Sequence, residues 1–165
     1  MAEFRFISLN VRGLRDNKKR AAIFTWLLKQ KEECIFLQEC HCATSADADQ
    51  WGKEWDGKTY WALGTTDSRG VAILFKRNAV ASLNVLDINC DVSGRYLVIR
   101  LCKQECNLTI CNVYAPNKIA ERDVFFTTLN GILNRVDQND IKIVGGDFNC
   151  VLCPEIDRKK LQRTG

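Results

Sequence analysis

An aspartate and an asparagine lie two positions apart where an apolar run gives way to glycines: Gly145-Gly146-Asp147-Phe148-Asn149 follows residues 141–144, Ile-Lys-Ile-Val. The apolar run predicts a short strand that ends at the glycines. Side chains at i and i+2 of an extended segment point the same way. Asp147 and Asn149 are therefore predicted to reach one phosphate, or one metal-bound water, together.

Three more polar residues, Asn10, Glu39 and Tyr114, also end apolar runs. Each has an ordinary structural explanation on its own: a turn for Asn10, an exposed carboxylate for Glu39, and a core aromatic for Tyr114. Ligand sites of layered α/β folds gather at strand ends. Together with Asp147 and Asn149, these residues predict an active site on one rim of a sheet.

The first forty residues predict the unit that positions Asn10 and Glu39. Residues 4–9 and 34–38 have the apolar character of strands, and residues 18–31 carry a broad apolar face typical of a helix. Asp16 or Asn17 can cap that helix. The pattern is a β-α-β unit, with a right-handed crossover if the strands are parallel.

The middle of the chain predicts a short helix, a series of strands and a final helix. Trp51 and Trp55 lie at helical spacing, and apolar residues from Phe125 to Val136 recur at i, i+4, i+7, i+8 and i+11. A hairpin turn is predicted at residues 103–105. The strand candidates are 59–63, 70–76, 80–87, 95–102 and 107–114.

Composition indicates one globular domain, residues 1–165, with 46% hydrophobic and 27% charged residues. A chain of this size buries roughly 70% of its unfolded surface. No run of 18 apolar residues and no secretory leader at Met1 is visible, so no membrane association is predicted. We expect an intracellular protein, in the nucleus and cytoplasm, that is not secreted.

The nine cysteines are predicted to be reduced, because an odd number in a chain without a leader argues against a disulfide framework. Cys40-His41-Cys42 and the pair Cys150 and Cys153 raise the alternative of a zinc site. A Cys-x-Cys pair suits one tetrahedral ion poorly, and His41 is the only histidine. No zinc is therefore expected.

The net charge of +4 is a mild bias, but the basic residues are clustered. Arg12, Arg15 and residues 18–20 form one cluster, and residues 158–163 contain another. Such clusters suit a polyanionic partner. Solvated helix and tail surfaces explain each cluster equally well, so charge permits a nucleic-acid partner without establishing one.

Five motifs together resemble the endonuclease/exonuclease/phosphatase superfamily, and most of all the apurinic-type endonuclease domain of LINE retrotransposon polyproteins. The resemblance extends over nearly the whole chain, and Asp157-Arg158 after the last motif is typical of the retrotransposon branch. In order, the motifs are Leu9-Asn10-Val11-Arg12-Gly13-Leu14, Phe36-Leu37-Gln38-Glu39, Gly70-Val71-Ala72-Ile73-Leu74, Asn112-Val113-Tyr114-Ala115-Pro116 and Gly145-Gly146-Asp147-Phe148-Asn149.

The resemblance implies metal-dependent cleavage of a DNA phosphodiester by the amino-terminal part of a four-layer α/β sandwich. It implies that Glu39 holds Mg²⁺, with Mn²⁺ as the second candidate, and that Asn10 supports that site. Asp147 would orient or deprotonate the attacking water, and Asn149 would bind the scissile phosphate. Tyr114 would donate to a non-bridging oxygen.

Contacts with DNA phosphates are also expected of Arg12, Lys18, Arg69 and Arg158. Many relatives carry aspartate at the position of Arg12, so a cation suited to phosphate replaces one metal ligand here. The family pattern continues to a Ser-Asp-His motif that residues 1–165 do not contain.

An incomplete domain is expected from that difference, with an uncovered sheet face through which the chain self-associates. Two alternatives stay open. One is a non-catalytic module, derived from the nuclease, that binds nucleic acid or protein. The other is a phosphatase of the same superfamily.

Overall fold

The computed structural model describes residues 3–150, which fold as two four-stranded sheets with helices on their outer sides. Arg158 and the rest of residues 151–165 lie outside the described residues, as do residues 1–2. The elements are β1 (Phe6–Asn10), α1 (Asn17–Lys29), β2 (Cys34–Gln38), α2 (Ser45–Glu54), β3 (Gly57–Ala62), β4 (Val71–Lys76), α3 (Arg77–Val80), β5 (Leu83–Cys90), β6 (Tyr96–Lys103), β7 (Cys106–Tyr114), α4 (Ile119–Arg135) and β8 (Ile141–Asp147).

Both sheets are mixed, and each contains one parallel pair of strands that leads to the candidate site. The first sheet has the order β1-β2-β4-β3, with β1 and β2 parallel. The second has the order β5-β6-β7-β8, with β7 and β8 parallel. The predicted β-α-β unit is confirmed: Asp16 caps α1 by accepting a hydrogen bond from the Lys19 amide, and α1 connects the parallel strands.

The two sheets pack face to face through one apolar core, and helices cover their other faces. Fully burying one large apolar side chain contributes about 1.5–3 kcal/mol, so this core dominates the stability of the fold. Phe36, Ile73 and Phe75 of the first sheet pack with Leu97, Ile99, Leu101 and Ile110 of the second. Phe24, Leu27, Trp51 and Trp55 lie between the helices α1 and α2 and the first sheet.

Helix α4 covers the outer face of the second sheet, where Leu129 packs against Val98, Cys111 and Val113. The order of layers is therefore helix, sheet, sheet, helix, as the resemblance predicts. Large exposed apolar side chains of this sheet lie on its two flanking strands, β5 and β8. No helix within residues 3–150 is long and apolar enough to cross a bilayer.

The strand predicted at 80–87 is wrong at its start. Residues Arg77–Val80 form the single helical turn α3 instead, and Ser82 closes it by donating from both its amide and its hydroxyl to the Ala79 carbonyl. The ladder with β6 then runs from Leu83 to Cys90. Hydrogen bonds of the neighbouring strand, which sequence periodicity does not report, set these bounds.

The β6–β7 hairpin supports a prediction about stability. Its two turn residues, Gln104 and Glu105, have φ values of 49° and 66°, the left-handed pair that a type I′ turn requires. Such backbone is unfavourable for side-chain-bearing residues. We expect Gln104→Asn combined with Glu105→Gly to raise the free energy of unfolding by about 1 kcal/mol, since both new residues tolerate left-handed backbone better. Urea denaturation measures this, and an unchanged or lower midpoint would contradict the turn geometry.

Candidate active site at the carboxyl ends of two sheets

The five sequence-predicted site residues converge, but the prediction of one sheet rim is wrong. Asn10 and Glu39 end or follow strands of the first sheet, whereas Tyr114 and Asp147 end strands of the second. The register of β7 and β8 puts Tyr114 directly beside Asp147. The site therefore lies between two sheets, and face-to-face packing rather than strand order brings its halves together.

Asn10 joins the two halves through its side-chain amide. Its Nδ2 donates to Glu39 Oε1 at 2.8 Å and to Asp147 Oδ2 at 2.9 Å. Its Oδ1 accepts from the Arg12 backbone amide at 3.1 Å, which fixes the orientation of the side chain. Two carboxylates thus share one neutral donor in a partly buried position. Their mutual repulsion favours a cation nearby.

Glu39 lies on a loop that contains non-glycine residues with positive φ. Seven non-glycine residues of the described chain have positive φ; two form the β6–β7 turn, and the other five surround the site. Positive φ is costly for such residues and clusters at functional sites, where the surroundings hold it in place. The five are Arg12, Glu39, His41, Arg69 and Asn149.

Two loops, the one after β1 and the one before β4, hold residues 39–41 by backbone hydrogen bonds. Gly13 donates to the Glu39 carbonyl at 2.7 Å, and the His41 amide donates to Arg69 at 2.9 Å. Gly13 has a φ of +86°, and a Cβ there would lie 2.8 Å from His41 Nδ1, so only glycine fits. His41 Nε2 lies 4.0 Å from Glu39 Oε2. The only histidine thus borders the site.

Tyr114 closes the site from the second sheet and is nearly buried, with 8% of its surface exposed. Burial raises the pKa of its phenol, and the Glu39 carboxylate, as a hydrogen-bond acceptor and as a negative charge, raises that pKa further. A raised phenol pKa keeps the proton on Tyr114 through neutral and moderately alkaline pH. Tyr114 therefore remains a hydrogen-bond donor.

Asp147 and Asn149 meet through a turn and not along an extended strand, which corrects the sequence prediction. Strand β8 ends at Asp147, and Asn149 has a φ of 48°. The Asn149 backbone amide donates to Asp147 Oδ1 at 3.0 Å, and Asn149 Nδ2 donates to the Ala115 carbonyl at 2.7 Å. Asn149 is thereby fastened to the end of β7, beside Tyr114.

Three of the four basic residues predicted to bind phosphate lie within the described residues. Arg12 is exposed, two residues after Asn10, and Arg69 lies on the loop that pairs with the Glu39 segment. Lys18 is exposed in the first turn of α1. No hydrogen bond or ion pair within residues 3–150 joins it to Asn10, Glu39 or Asp147. Arg158 lies outside the described residues.

Sequence reasoning missed three residues at the site. Arg95 lies over the Tyr114 ring, with its guanidinium carbon 5.7 Å from the ring centroid. Gln38 and Asn112 lie buried between the sheets beneath the Glu39 segment. Polar residues inside apolar runs were the available signal, since a buried amide needs partners.

The donor set suits a cation that retains water ligands. In residues 3–150 no group of three or more His, Cys, Asp or Glu side chains is arranged to hold a metal. Mg²⁺ commonly binds through one or two carboxylates and keeps several waters. The Glu39 carboxylate uses only Oε1 for Asn10, and the side chain is 26% exposed. These residues therefore fit Mg²⁺ or Mn²⁺.

Two cysteines of the zinc alternative have the character of core residues, whereas Cys150 is exposed. Cys40 and Cys42 are buried, and burial raises the pKa of the Cys42 thiol to about 12 and that of Cys40 well above its usual value. Raised thiol pKa values oppose formation of the thiolate that zinc requires. Cys153 lies outside the described residues.

The fold and site together define a class: a four-layer α/β sandwich with carboxylates, amides and a phenol at one end of its paired sheets. The family model for the endonuclease/exonuclease/phosphatase family matches residues 7–164. The chain therefore belongs to that family.

Similar proteins agree with this assignment. The "Transposon TX1 uncharacterized 149 kDa protein" of Xenopus laevis is 31% identical over 145 residues, which are 88% of this chain and 11% of that protein. The predicted relationship to a retrotransposon protein is thus confirmed at the level of sequence similarity.

Solved structures show the same fold. The AP endonuclease LMAP of Leishmania major has a TM-score of 0.71 at 20% identity, with 87% of this chain and 54% of that chain covered. D. rerio TDP2, complexed with a single-strand DNA product, has a TM-score of 0.66 at 20% identity, with 93% of this chain and 63% of that chain covered. The chain thus spans a small part of the transposon protein and about half to two-thirds of these structures.

Proposed function

We propose that this chain carries the site of a metal-dependent DNA endonuclease that hydrolyses phosphodiester bonds, of the kind that nicks target DNA for a retrotransposon. The observation that supports this most is the bridge from Asn10 to both Glu39 and Asp147. It holds two carboxylates together, Tyr114 lies beside Asp147 in the register of β7 and β8, and the family relationship supplies the reaction class.

Glu39, Asp147 and Tyr114 have different roles in the proposed reaction. Glu39 would hold Mg²⁺ or Mn²⁺ with water ligands, and the ion, when bound, would neutralise charge on the phosphate. Asp147, held by Asn10 and the Asn149 amide, would orient the attacking water or accept its proton as the water oxygen bonds to phosphorus. The bond from phosphorus to the leaving sugar oxygen would break, and solvent water would supply that oxygen with a proton. Tyr114 donates to a non-bridging oxygen as negative charge builds there.

Asn149 and three arginines near the site would bind the phosphate groups of the substrate. Asn149 Nδ2 has two hydrogens, and the contact with Ala115 uses one of them. The second hydrogen would donate to the scissile phosphate. Arg12 and Arg69 lie on the loops around Glu39, and Arg95 lies over Tyr114. These three, and Lys18 on α1, would contact neighbouring phosphates. The same contact is proposed for Arg158, which lies outside the described residues.

Two substrate classes separate this proposal from its alternatives. The test incubates the whole chain with Mg²⁺ and either supercoiled plasmid or a phosphomonoester such as p-nitrophenyl phosphate. We expect nicking of the plasmid and little release of phosphate. Preferential hydrolysis of the monoester would favour a phosphatase, and salt-sensitive DNA binding without nicking would favour a binding module.

The two sheets pack against each other and helices lie on their outer faces, so the predicted uncovered sheet face is wrong for the described residues. We propose instead self-association through the edge strand β8. This strand ends the second sheet of the described residues, and its Ile141 and Val144 are 46% and 39% exposed. Apolar side chains on such a flanking strand favour contact with a second copy. We expect sedimentation velocity to show concentration-dependent dimers that Ile141→Lys combined with Val144→Lys abolishes. Val92→Lys is the control, since Val92 is fully exposed beyond β5; dimers that survive the β8 changes would contradict the proposal.

A further inference from the structure

We infer that Asn112 and Gln38 are positioning residues that hold Glu39 in its working conformation; the inference rests on the proposed role of Glu39 as a cation ligand. Both side chains lie between the sheets, 0% and 1% exposed. Gln38 immediately precedes Glu39, and Asn112 belongs to β7, the strand that ends at Tyr114. They therefore connect the two halves of the site from below.

Asn112 supplies hydrogen bonds that the first sheet lacks at this point. Its Nδ2 donates to the carbonyls of Leu37 and Ala72, both at 2.8 Å. Leu37 and Ala72 are the last register pair between β2 and β4. A side chain of the second sheet thus satisfies two carbonyl groups where the ladder of the first sheet stops, and buried carbonyls require such partners.

Glu39 lies in the gap in that ladder. Pairing resumes beyond it, where Cys40 donates to Gly70 and His41 donates to Arg69, each at 2.9 Å. Between these points Glu39 has a φ of +52°. Left-handed backbone is unfavourable for glutamate and persists where surrounding bonds leave no alternative. The two bonds from Asn112 fix one side of the gap and so fix the direction of the Glu39 side chain.

Gln38 extends the connection to the first strand. Its Nε2 donates to Asn112 Oδ1 at 2.7 Å and to Ser8 Oγ at 3.1 Å. This chain of polar groups links β1, β2 and β7, which lead to Asn10, Glu39 and Tyr114. Buried polar networks of this kind admit one arrangement that satisfies all their donors. The register between the sheets is therefore fixed where the site needs it.

The test measures Mn²⁺ binding to the whole chain by electron paramagnetic resonance, a readout that does not require nicking. Glu39→Gln identifies the binding that depends on Glu39. Asn112→Leu removes both donors at similar volume, and we expect it to weaken that binding about tenfold or more, as loss of groups that orient a ligand does. Gln38→Met leaves the hydrogen bonds from Asn112 to Leu37 and Ala72 in place, so it should weaken Mn²⁺ binding less. It is the variant to measure if Asn112→Leu does not fold.

Thr109→Val is the matched control. Thr109 is also buried on β7 and also donates a hydrogen bond, to Asp140 at 2.9 Å, but that carboxylate pairs with Arg100. This variant should lose stability and keep the parental Mn²⁺ affinity. Equal weakening by Thr109→Val, or parental affinity in both Asn112→Leu and Gln38→Met, would overturn the inference.

The result remains interpretable if the proposed function fails. A parent chain that binds Mn²⁺ through Glu39 but does not nick DNA leaves this test unchanged. If Glu39→Gln does not alter Mn²⁺ binding, the proposal that Glu39 binds a cation fails. The positioning role is then tested by the φ angle of Glu39 in the Asn112→Leu variant. A φ that leaves the left-handed region, measured by NMR or crystallography, supports the positioning role, and a φ that stays near +52° overturns it.

Discussion

Asp147→Asn should reduce the rate of DNA nicking by about 100-fold to 10,000-fold, the contribution of a positioned general base. The asparagine side chain has nearly the same shape, and its one oxygen can accept from either the Asn10 or the Asn149 donor. It cannot accept a proton from water at neutral pH. The measurement is the single-turnover rate of conversion of supercoiled plasmid to the open circle at saturating Mg²⁺.

Asp123→Asn is the control for this change. It removes the same charge from an exposed position on α4, on the outer side of the second sheet. Its nicking rate should equal that of the parent. A loss of less than threefold in Asp147→Asn would show that this carboxylate takes no part in the proton transfer.

Glu39→Gln should weaken Mn²⁺ binding by at least about tenfold, since loss of a group that merely orients a metal ligand already costs that much. The glutamine retains an oxygen to accept from Asn10 but has no charge to attract a cation. Nicking should fall in parallel and recover in part at high metal concentration. A titration of nicking rate against Mn²⁺ separates this loss of affinity from a loss in the chemical step.

Glu121→Gln, an exposed charge change on α4, controls for the lost negative charge and should leave the titration unchanged. If Glu39→Gln has the metal dependence of the parent and a lower maximal rate, Glu39 acts on the substrate and does not hold the ion.

The strands that lead to the site were largely predictable from sequence, but the manner of their meeting was not. Apolar runs that end in Asn10, Glu39, Tyr114 and Asp147 marked strand ends correctly. Strand periodicity reports which faces are buried and does not report which sheet a strand joins. The assignment of β1 and β2 to one sheet and β7 and β8 to another needed long-range pairing.

Local backbone conformation was the second feature that could not be predicted from the sequence. Extended geometry predicted a common direction for Asp147 and Asn149, whereas the structure joins them by a turn with Asn149 in the left-handed region. Glu39 likewise gives no sequence signal of positive φ, because glutamate rarely adopts it. The cause is tertiary: Asn112, 73 positions away in sequence, fixes the strand pair that Glu39 follows.

The most direct test of the proposed active site is Mg²⁺-dependent nicking of supercoiled plasmid by the whole chain, run beside Asp147→Asn and beside the parent with EDTA. A nuclease site built from Asn10, Glu39 and Asp147 predicts open-circle product that rises with Mg²⁺, is abolished by EDTA and is at least about 100-fold slower in Asp147→Asn. The proposed active site would be contradicted if the parent chain nicked the plasmid no faster than buffer alone. It would also be contradicted if Asp147→Asn nicked as fast as the parent.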